Sequence, residues 1–413
     1  MKMESSVRNT CRLCGKKELE LVLSLPPTPP GDHYIPADRL GIEQETYPLN
    51  MALCRSCGNV QLTHVVNPDI LYGGYTYVTS VSLGLPEHFE RYVDDILART
   101  GTKPNSLVVD VGSNDGTLLR SFKIRGQRVL GIDPAGDVAL KAVESGIETR
   151  VAYFTAGLAR TLQKECGPAG ILTANNVMAN IDNLDDMVAG IKELLAPDGV
   201  FVFETGYVAD LIKQDILDNI YHEHISYFAV RPLAAFFRKH GLELYDVQWV
   251  DSKGGSLRGF VQHAGGPKAF SPSVDEFIRR ETAAGLDKPT AFKAFADRLH
   301  GIKLELETLL AGLRREGLSV AAFGASVGVT TMIYFFGLGQ RLAFLADDNP
   351  RKHHLFSPGF HIPVLPSDQL LKKPADYVVI LPWRYADSIL KRHSECHKRG
   401  TRFIVPIPSV RTI

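Results

Sequence analysis

Three features predict an α/β chain with a small metal-held N-terminal domain and two Rossmann-like units. Two C-x-x-C-G knuckles, Cys11/Cys14 and Cys54/Cys57, stand near the N-terminus. A strand, glycine turn, helix, strand and acid follow in order over residues 106–133. A second strand, glycine turn and helix begin near residue 318. The 413 residues exceed what one hydrophobic core organises, so several domains are expected. We read residues 1–70 as the cysteine domain and 71–268 as the first Rossmann-like unit. Residues 269–413 read as a helical bridge followed by the second, smaller unit.

The knuckles come first. Each C-x-x-C turn brings two thiolates to one point, and the following glycines, Gly15 and Gly58, permit the tight backbone. Two such turns supply four sulfurs, which matches closed, tetrahedral structural zinc with no open position for catalysis. A redox pair is the competing reading, but a thioredoxin-like pattern is missing around the pairs. The segment between the knuckles is long enough for strands of its own, and PPTPPG (26–31) adds an extended loop. Cys166 and Cys396 read as plain thiols.

In the first Rossmann-like unit, SLVVDV (106–111) is a buried strand, GSNDGTLLRSF opens a helix, and RVLGID (128–133) is a second strand ending in an acid. Gly112 and Gly116 allow the turn, and Asp133 stands where a carboxylate takes ribose hydroxyls. Asp110, Gly112, Asn114, Asp115, Asp133 and Pro134 are therefore candidate cofactor residues. The dinucleotide fingerprint would need glycine where Asn114 stands. Asp115 would repel a pyrophosphate, yet would tolerate S-adenosylmethionine, which carries an ammonium and a sulfonium. A dinucleotide and an empty turn remain the competing readings. GILTANNVMANIDNL (170–184) is a strand with a polar end, and ligands sit beyond such ends. Asn175 and Asn176 join the cofactor set, and Asn180 lies near the methyl donor. Simple turn chemistry would also suit these amides. LELYDVQWV (242–250) and SLRGFVQH (256–263) read as an antiparallel hairpin closing the sheet.

The segment YHEHISYF (221–228) concentrates two imidazoles, a carboxylate and phenols. Methylation of a carbon beside a ketone needs a base for the α-proton and donors for the enolate oxygen. Histidine suits the first task and tyrosine the second. A polar helix entry is the bland alternative. Zinc binding by H-x-H is disfavoured because the H-E-x-x-H helix pattern is not present.

In the C-terminal unit, LSVAAFGASVGVTTMIYFFGLG (318–339) repeats the strand, turn and helix. The formal G-x-S-x-G match lacks the partner order of a hydrolase. Amides at Gly324, Ser326 and Gly328 suit a sugar diphosphate. Asn349, Arg351, Lys352, Trp383 and Arg384 would add charge and a stacking face.

The ordered set CxxCG…CxxCG, VVDVGSNDGTLLRSF, GIDPAG, NNVMANI, YHEHISYF and GGSLRGF resembles the nucleotide-sugar C-methyltransferase family, over essentially the whole chain. The resemblance implies a zinc domain, a class I (Rossmann-like) methyltransferase domain binding S-adenosylmethionine, and a C-terminal domain taking a dTDP-sugar. It implies methylation at C3 of a dTDP-4-keto-deoxysugar, such as dTDP-3-amino-4-keto-2,3,6-trideoxyglucose, in deoxysugar and antibiotic biosynthesis. It maps catalytic roles onto Tyr75, Tyr221, Glu223 and His224, with the histidine as base. The family's fourth motif ends in histidine where this chain has Asn180, an amide that cannot titrate near neutrality. An O- or N-methyltransferase and a non-catalytic zinc-ribbon binding protein are the competing functions.

Lysine plus arginine equals aspartate plus glutamate at 46 each, so no single-sign field points to nucleic acid or an anionic membrane as partner. No signal-peptide pattern or membrane-length apolar run is found. A cytoplasmic enzyme with a small-molecule substrate, a monomer or weak oligomer, is expected.

Overall fold

The computed structural model describes residues 4–72, 78–81 and 84–413. The N-terminal part contains β1 (Ser5–Val7), β2 (Leu19–Thr28), β3 (Tyr47–Cys54), β4 (Val60–Leu62), β5 (His64–Val66) and the short helix α1 (Pro68–Tyr72). The segment between the knuckles forms strands as expected: β2, β3 and β4 pair antiparallel.

The middle part runs α2 (Leu85–Thr100), β6 (Leu107–Val111), α3 (Thr117–Ile124), β7 (Arg128–Asp133), α4 (Gly136–Glu144) and β8 (Thr149–Val151). It continues with α5 (Ala156–Cys166), β9 (Ala169–Asn175), α6 (Leu184–Leu194), β10 (Leu195–Gly206), α7 (Val208–Lys213), β11 (Ser226–Tyr227), α8 (Val230–Lys239), β12 (Leu242–Val250) and β13 (Ser256–His263). The seven-stranded sheet has the order β12-β13-β10-β9-β6-β7-β8. Five neighbours from β8 to β10 are parallel, and β13 is antiparallel to both strands beside it. The central strand β6 is buried along its whole length, as in a parallel sheet covered by helices on both faces, whereas the edge strand β8 is largely exposed. Connections leave β6 in both directions, so a crevice opens at the carboxyl ends of β6 and β9.

The C-terminal part has α9 (Ser273–Ala283), the long α10 (Pro289–Arg315), β14 (Val320–Phe323), α11 (Val327–Phe335), β15 (Leu345–Asp347), β16 (Val364–Pro366), α12 (Gln369–Lys372), β17 (Tyr377–Ile380), α13 (Ala386–Arg392), α14 (Ser394–Lys398), β18 (Arg402–Val405) and β19 (Arg411–Thr412). Its sheet order is β16-β15-β14-β17-β18-β19, again with the first strand at the reversal point. The buried face of α10 (Phe292, Phe295, Leu299, Ile302, Leu306, Leu310) shares one apolar cluster with Leu23, Leu25, Leu49 and Met51 of the N-terminal sheet and with α11. The bridge is thus a packing element, not a tether. Among the described residues no helix is long and apolar enough to cross a membrane.

The departure from local expectation is β11. Residues of the YHEHISYF segment do not enter a helix. They add an edge strand to the N-terminal sheet, with Ser226 opposite Gln61 and Tyr227 opposite Val60. The sequence periodicity of two residues cannot announce such a long-range pairing.

Candidate active site and zinc centre

The four knuckle cysteines place their sulfurs within 4.8 Å of one another. Cys11 Sγ lies 3.6 Å from Cys57 Sγ, and Cys14 Sγ lies 3.5 Å from Cys54 Sγ. A tetrahedral ion with zinc–sulfur bonds of about 2.3 Å puts its ligands about 3.8 Å apart, so the sulfurs fit zinc. Gly15 and Gly58 take left-handed φ of 75° and 83° where each knuckle turns. Their amides close the turns onto Cys11 O (2.9 Å) and Cys54 O (2.8 Å). Among the described residues no other cysteine, histidine or carboxylate joins the set, which suits a structural role.

The glycine turn after β6 is built as its sequence requires. Gly112 has φ 73°, and a Cβ there would come 2.3 Å from Val177 Cγ2. Gly112→Ala is expected to lose about 1–3 kcal/mol through backbone strain and this clash. A lowered melting temperature and weakened adenosylhomocysteine binding in calorimetry would register it. Asp133 is buried and accepts from Asn114 N (2.9 Å) and Ala135 N (2.8 Å). Pro134 follows on the exposed lip. Asp110 is buried under the turn, accepts from Thr173 Oγ1 at 2.6 Å, and has its pKa pushed up to about 7 by burial. Asn175 ends β9 with its amide atoms buried against the Tyr92 hydroxyl of α2. Asn176 takes φ 56° and donates its amide to Glu204 O at 2.7 Å.

Asp115 corrects one expectation. It does not hold a carboxylate open to the ligand. Its Oδ2 accepts from Ser80 N (3.0 Å) and its Oδ1 from Thr117 Oγ1 (2.6 Å), while Asn114 Oδ1 accepts from Thr79 N (2.8 Å). The acid fastens the segment before α2 onto the turn. What discriminates against a pyrophosphate here is the Asn114 side chain where close backbone approach would be needed, rather than repulsion by Asp115.

The candidate catalytic residues Tyr221, Glu223 and His224 lie in the loop before β11. His224 Nε2 lies 2.8 Å from Tyr221 Oη, and its Nδ1 lies 3.0 Å from Asn219 O. A carbonyl only accepts, so Nδ1 carries the proton and Nε2 accepts from the phenol. The two rings stack with centroids 4.1 Å apart. Burial, with a smaller push from Lys253, lowers the His224 pKa to about 4. Burial, reinforced by Asp32, raises Glu223 to about 8. One group is therefore a neutral base and the other a neutral acid at neutral pH. His222 points away, with Nε2 3.0 Å from Tyr47 O in the N-terminal sheet. Asn180 donates to Tyr72 Oη at 3.2 Å, and its own Oδ1 is buried without a partner among the described residues. Tyr75 lies outside the described residues.

Several site residues escaped the sequence reading. Tyr72 ends α1 against Asn180, and its phenol is pushed well up by burial and then by Glu223. Lys253 sits at φ 52° in the turn between β12 and β13. Behind it, a Cβ on Gly254 would meet Ile216 and one on Gly255 would meet Asp210. Lys253 is exposed to solvent, and no partner for it is found among the described residues. Glu204 takes His88 (2.8 Å) and Arg258 (2.7 Å). Burial would raise its pKa, but those partners hold it below the usual range. The only sequence hint for Lys253 was the Gly-Gly pair after it.

In the C-terminal unit Asp347 repeats the Asp133 arrangement, accepting from Ala325 N (2.6 Å) and Asn349 N (2.7 Å). Ser326 is exposed at the start of α11, and Arg351 is exposed beside Asn349. The other candidates are engaged elsewhere, which corrects the diphosphate expectation. Gly324 donates its amide to Ala346 O at 2.8 Å, inside the sheet. A Cβ on Gly328 would come 1.9 Å from Asp218 O, so that face of α11 is covered by the chain. Lys352 is buried, pairs with Asp32 at 2.5 Å and lies 4.2 Å over the Tyr34 ring. Trp383 Nε1 and Arg384 Nη1 both donate to Asp218 Oδ1, at 3.2 and 2.8 Å.

Comparison with known proteins agrees with this layout. Family models match residues 11–72 ("Putative zinc binding domain"), 86–247 ("Methyltransferase domain") and 251–408 ("C-methyltransferase C-terminal domain"). The C-methyltransferase NovU of Streptomyces niveus is 34% identical over 414 aligned residues, covering 100% of this chain and 99% of that one. A solved protein from Pyrococcus horikoshii overlaps 46% of this chain and 97% of its own, at 14% identity and a TM-score of 0.38. An S-adenosylmethionine-dependent methyltransferase from Clostridium acetobutylicum overlaps 48% and 96%, at 12% identity and a TM-score of 0.36. At these scores the structural overlaps add nothing to the assignment, which rests on the full-length relative and the three matched domains. The chain belongs to the S-adenosylmethionine-dependent C-methyltransferases that carry an N-terminal zinc-binding domain.

Proposed function

We propose that this C-methyltransferase acts on C3 of a dTDP-4-keto-deoxysugar, with a 3-amino sugar as the preferred acceptor. What supports the reading is the geometry of one loop: His224 Nδ1 lies 3.0 Å from Asn219 O and Nε2 lies 2.8 Å from Tyr221 Oη, next to the Glu223 carboxyl, and burial lowers the imidazole's pKa and raises the carboxyl's. Removing a proton beside a ketone asks for a base and an acid. S-adenosylmethionine, held at the β6 turn by Gly112, Asn114, Asp133 and the Asn175 strand end, supplies the methyl group.

In this reading His224 Nε2 takes the C3 proton, with Tyr221 either yielding its hydrogen bond or passing its own proton to the imidazole as it receives the substrate's. Glu223 donates a hydrogen bond to the developing enolate oxygen, and Tyr75 and Tyr221 hold the sugar. Asn180, oriented by Tyr72, presents an amide where relatives of the family carry a histidine. It positions a sugar oxygen and moves no proton. Lys253, the unpartnered cation of the cleft wall, meets the diphosphate. Ser326, Asn349 and Arg351 receive the nucleoside on the C-terminal unit. Lys352, Trp383 and Arg384 act by fixing that unit against Asp32 and Asp218. The enzyme works in the cytoplasm, within deoxysugar biosynthesis.

The pH dependence follows. His224 is a base only above its pKa of about 4, and Glu223 donates only below its pKa of about 8. Turnover is expected to rise through the first value and fall through the second. Glu223→Gln keeps a donor that does not ionise, so the alkaline fall should vanish. Its persistence in that variant would remove Glu223 from the role. Lys253→Met should weaken dTDP binding by about tenfold or more while leaving adenosylhomocysteine binding unchanged, as loss of a charge-assisted contact predicts.

The test of the proposal is carbon NMR of the product made with carbon-13-methyl adenosylmethionine. A methyl carbon coupled to C3 supports it. A methyl on oxygen or nitrogen replaces it with heteroatom transfer.

A further inference from the structure

We propose that the zinc centre sets the position of the reacting loop through Arg12, a residue carried between the first two zinc cysteines. The inference rests on the assignment of His224 and Glu223 to the acceptor given above.

Arg12 is an unusual residue for a zinc knuckle. Its side chain is 0% exposed, whereas arginine is almost never fully buried unless paired. Its Nη1 donates at 2.8 Å to Leu62 O in β4 and at 2.8 Å to Ile225 O, the carbonyl next after His224. Its Nε donates at 2.9 Å to Asp182 Oδ1, two residues beyond Asn180. Arg8 holds the other oxygen of Asp182 at 2.9 Å. One guanidinium thus spans the two chain segments that carry the candidate groups.

Its Nη2 is buried with no partner among the described residues, so the contacts run through Nε, Nη1 and the main chain. Arg12 N donates to Gln61 Oε1 at 2.8 Å, and Gln61 Nε2 donates to Thr10 O at 3.0 Å. Gln61 stands opposite Ser226 in the β4–β11 ladder. Leu62 N donates to Ile225 O at 2.9 Å, and Ile225 N donates to Ala179 O at 2.8 Å. Asn59 Nδ2 reaches Cys11 Sγ at 3.7 Å. The register of His224 is therefore measured from the knuckle: from Cys11 through Arg12 to Ile225, and from Cys57 through β4 to β11. An ordinary domain contact would need apolar area only. Here a buried cation is spent on the carbonyl beside the base and on the loop of Asn180. Catalytic groups must be held to within a fraction of an ångström, and a misplacement of about 1 Å costs about 10²-fold.

The test uses the full-length, zinc-loaded protein and three variants. Arg12→Met removes all three donations. Arg12→Lys keeps the charge and can satisfy one or two acceptors, without the planar fork. Asp182→Asn, at a side chain 40% exposed, withdraws only the ion partner and guards against a folding failure of the first variant. Four quantities are read: zinc per chain, adenosylhomocysteine affinity, kcat against KM, and amide hydrogen exchange of residues 222–228.

Arg12→Met is expected to retain one zinc and bind adenosylhomocysteine within about twofold of the parent. Its kcat should fall about 10²-fold, and the 222–228 amides should exchange faster while those of 107–133 do not. Arg12→Lys should recover part of kcat, and Asp182→Asn should show a smaller loss of kcat with the same exchange signature. Two results overturn the proposal. In one, zinc-loaded Arg12→Met or Asp182→Asn leaves 222–228 exchange and kcat unchanged. In the other, kcat and cofactor affinity fall together while amides throughout the chain exchange faster, as mere destabilisation would cause. The exchange measurement needs no sugar. If the parent fails to act on the sugar, the proposed function fails while the exchange result still decides the role of Arg12.

Discussion

Replacing His224 by glutamine is expected to lower kcat by about 10³-fold while leaving adenosylhomocysteine affinity unchanged. The amide preserves hydrogen bonding to Tyr221 and to Asn219 O, the two partners 2.8 and 3.0 Å away, but it cannot take a proton. The stacked Tyr221 ring keeps its place, so the loss reports chemistry rather than collapse. The turn that holds the cofactor belongs to β6, β7 and β9, and none of its contacts runs through His224. Stopped-flow turnover and calorimetry on the same preparation separate the two quantities. A variant that keeps more than about a tenth of the parent kcat would take the base role from His224.

Removing zinc should have the second large effect. A structural zinc site of four thiolates contributes about 10–16 kcal/mol of apparent binding energy, comparable with or above the about 5–15 kcal/mol that holds a whole domain folded. Cys11 and Cys54 are fully buried, so an emptied site leaves thiols packed where an ion should neutralise them. Cys54→Ser, or exhaustive chelation, is expected to unfold the N-terminal sheet and release β11 with it. Elemental analysis would show zinc below one per chain. Limited proteolysis would open residues 11–66, and activity would be lost while the α2–β13 body stays folded. An apoprotein with the parent's melting profile and turnover would contradict a structural zinc.

Much of the architecture was legible along the chain, for reasons that are local. Cysteine spacing announces the zinc site because ligand geometry is set within a single turn. Strands β6 and β7 end where apolar runs meet Gly112 and Asp133, and the β12–β13 hairpin follows from two runs around Lys253-Gly254-Gly255. What escaped is non-local. Ser226 and Tyr227 carry no local sign that they complete a sheet begun more than a hundred residues earlier. Arg12, between two zinc ligands, carries no local sign that its side chain reaches Ile225 and Asp182. Asp115 reads as a free charge until the Ser80 amide turns out to need it. Lys352 and Trp383 have the chemistry of nucleotide ligands, and the fold engages them with Asp32 and Asp218 instead. In each case composition identified a capable group, and tertiary packing decided what it faced.

Both Rossmann-like units end their second strand in an acid that accepts the turn amide and the amide two residues further on, Asp133 in one and Asp347 in the other. They differ in what covers the turn. Before α3 the Gly112 turn packs on the Val177 side chain, whereas at the start of α11 the chain itself presses Asp218 O against Gly328. The matched methyltransferase domain, residues 86–247, contains the first of these turns.

The most direct measurement is loss of the C3 hydrogen of a dTDP-3-amino-4-keto-2,3,6-trideoxyglucose in deuterated water, with adenosylhomocysteine bound so that no methyl can move. Proton NMR should show that signal fading with the parent protein and persisting with His224→Gln. A C3 hydrogen that stays in place with the parent, under conditions where the same sample methylates the sugar, would contradict enolisation by this loop.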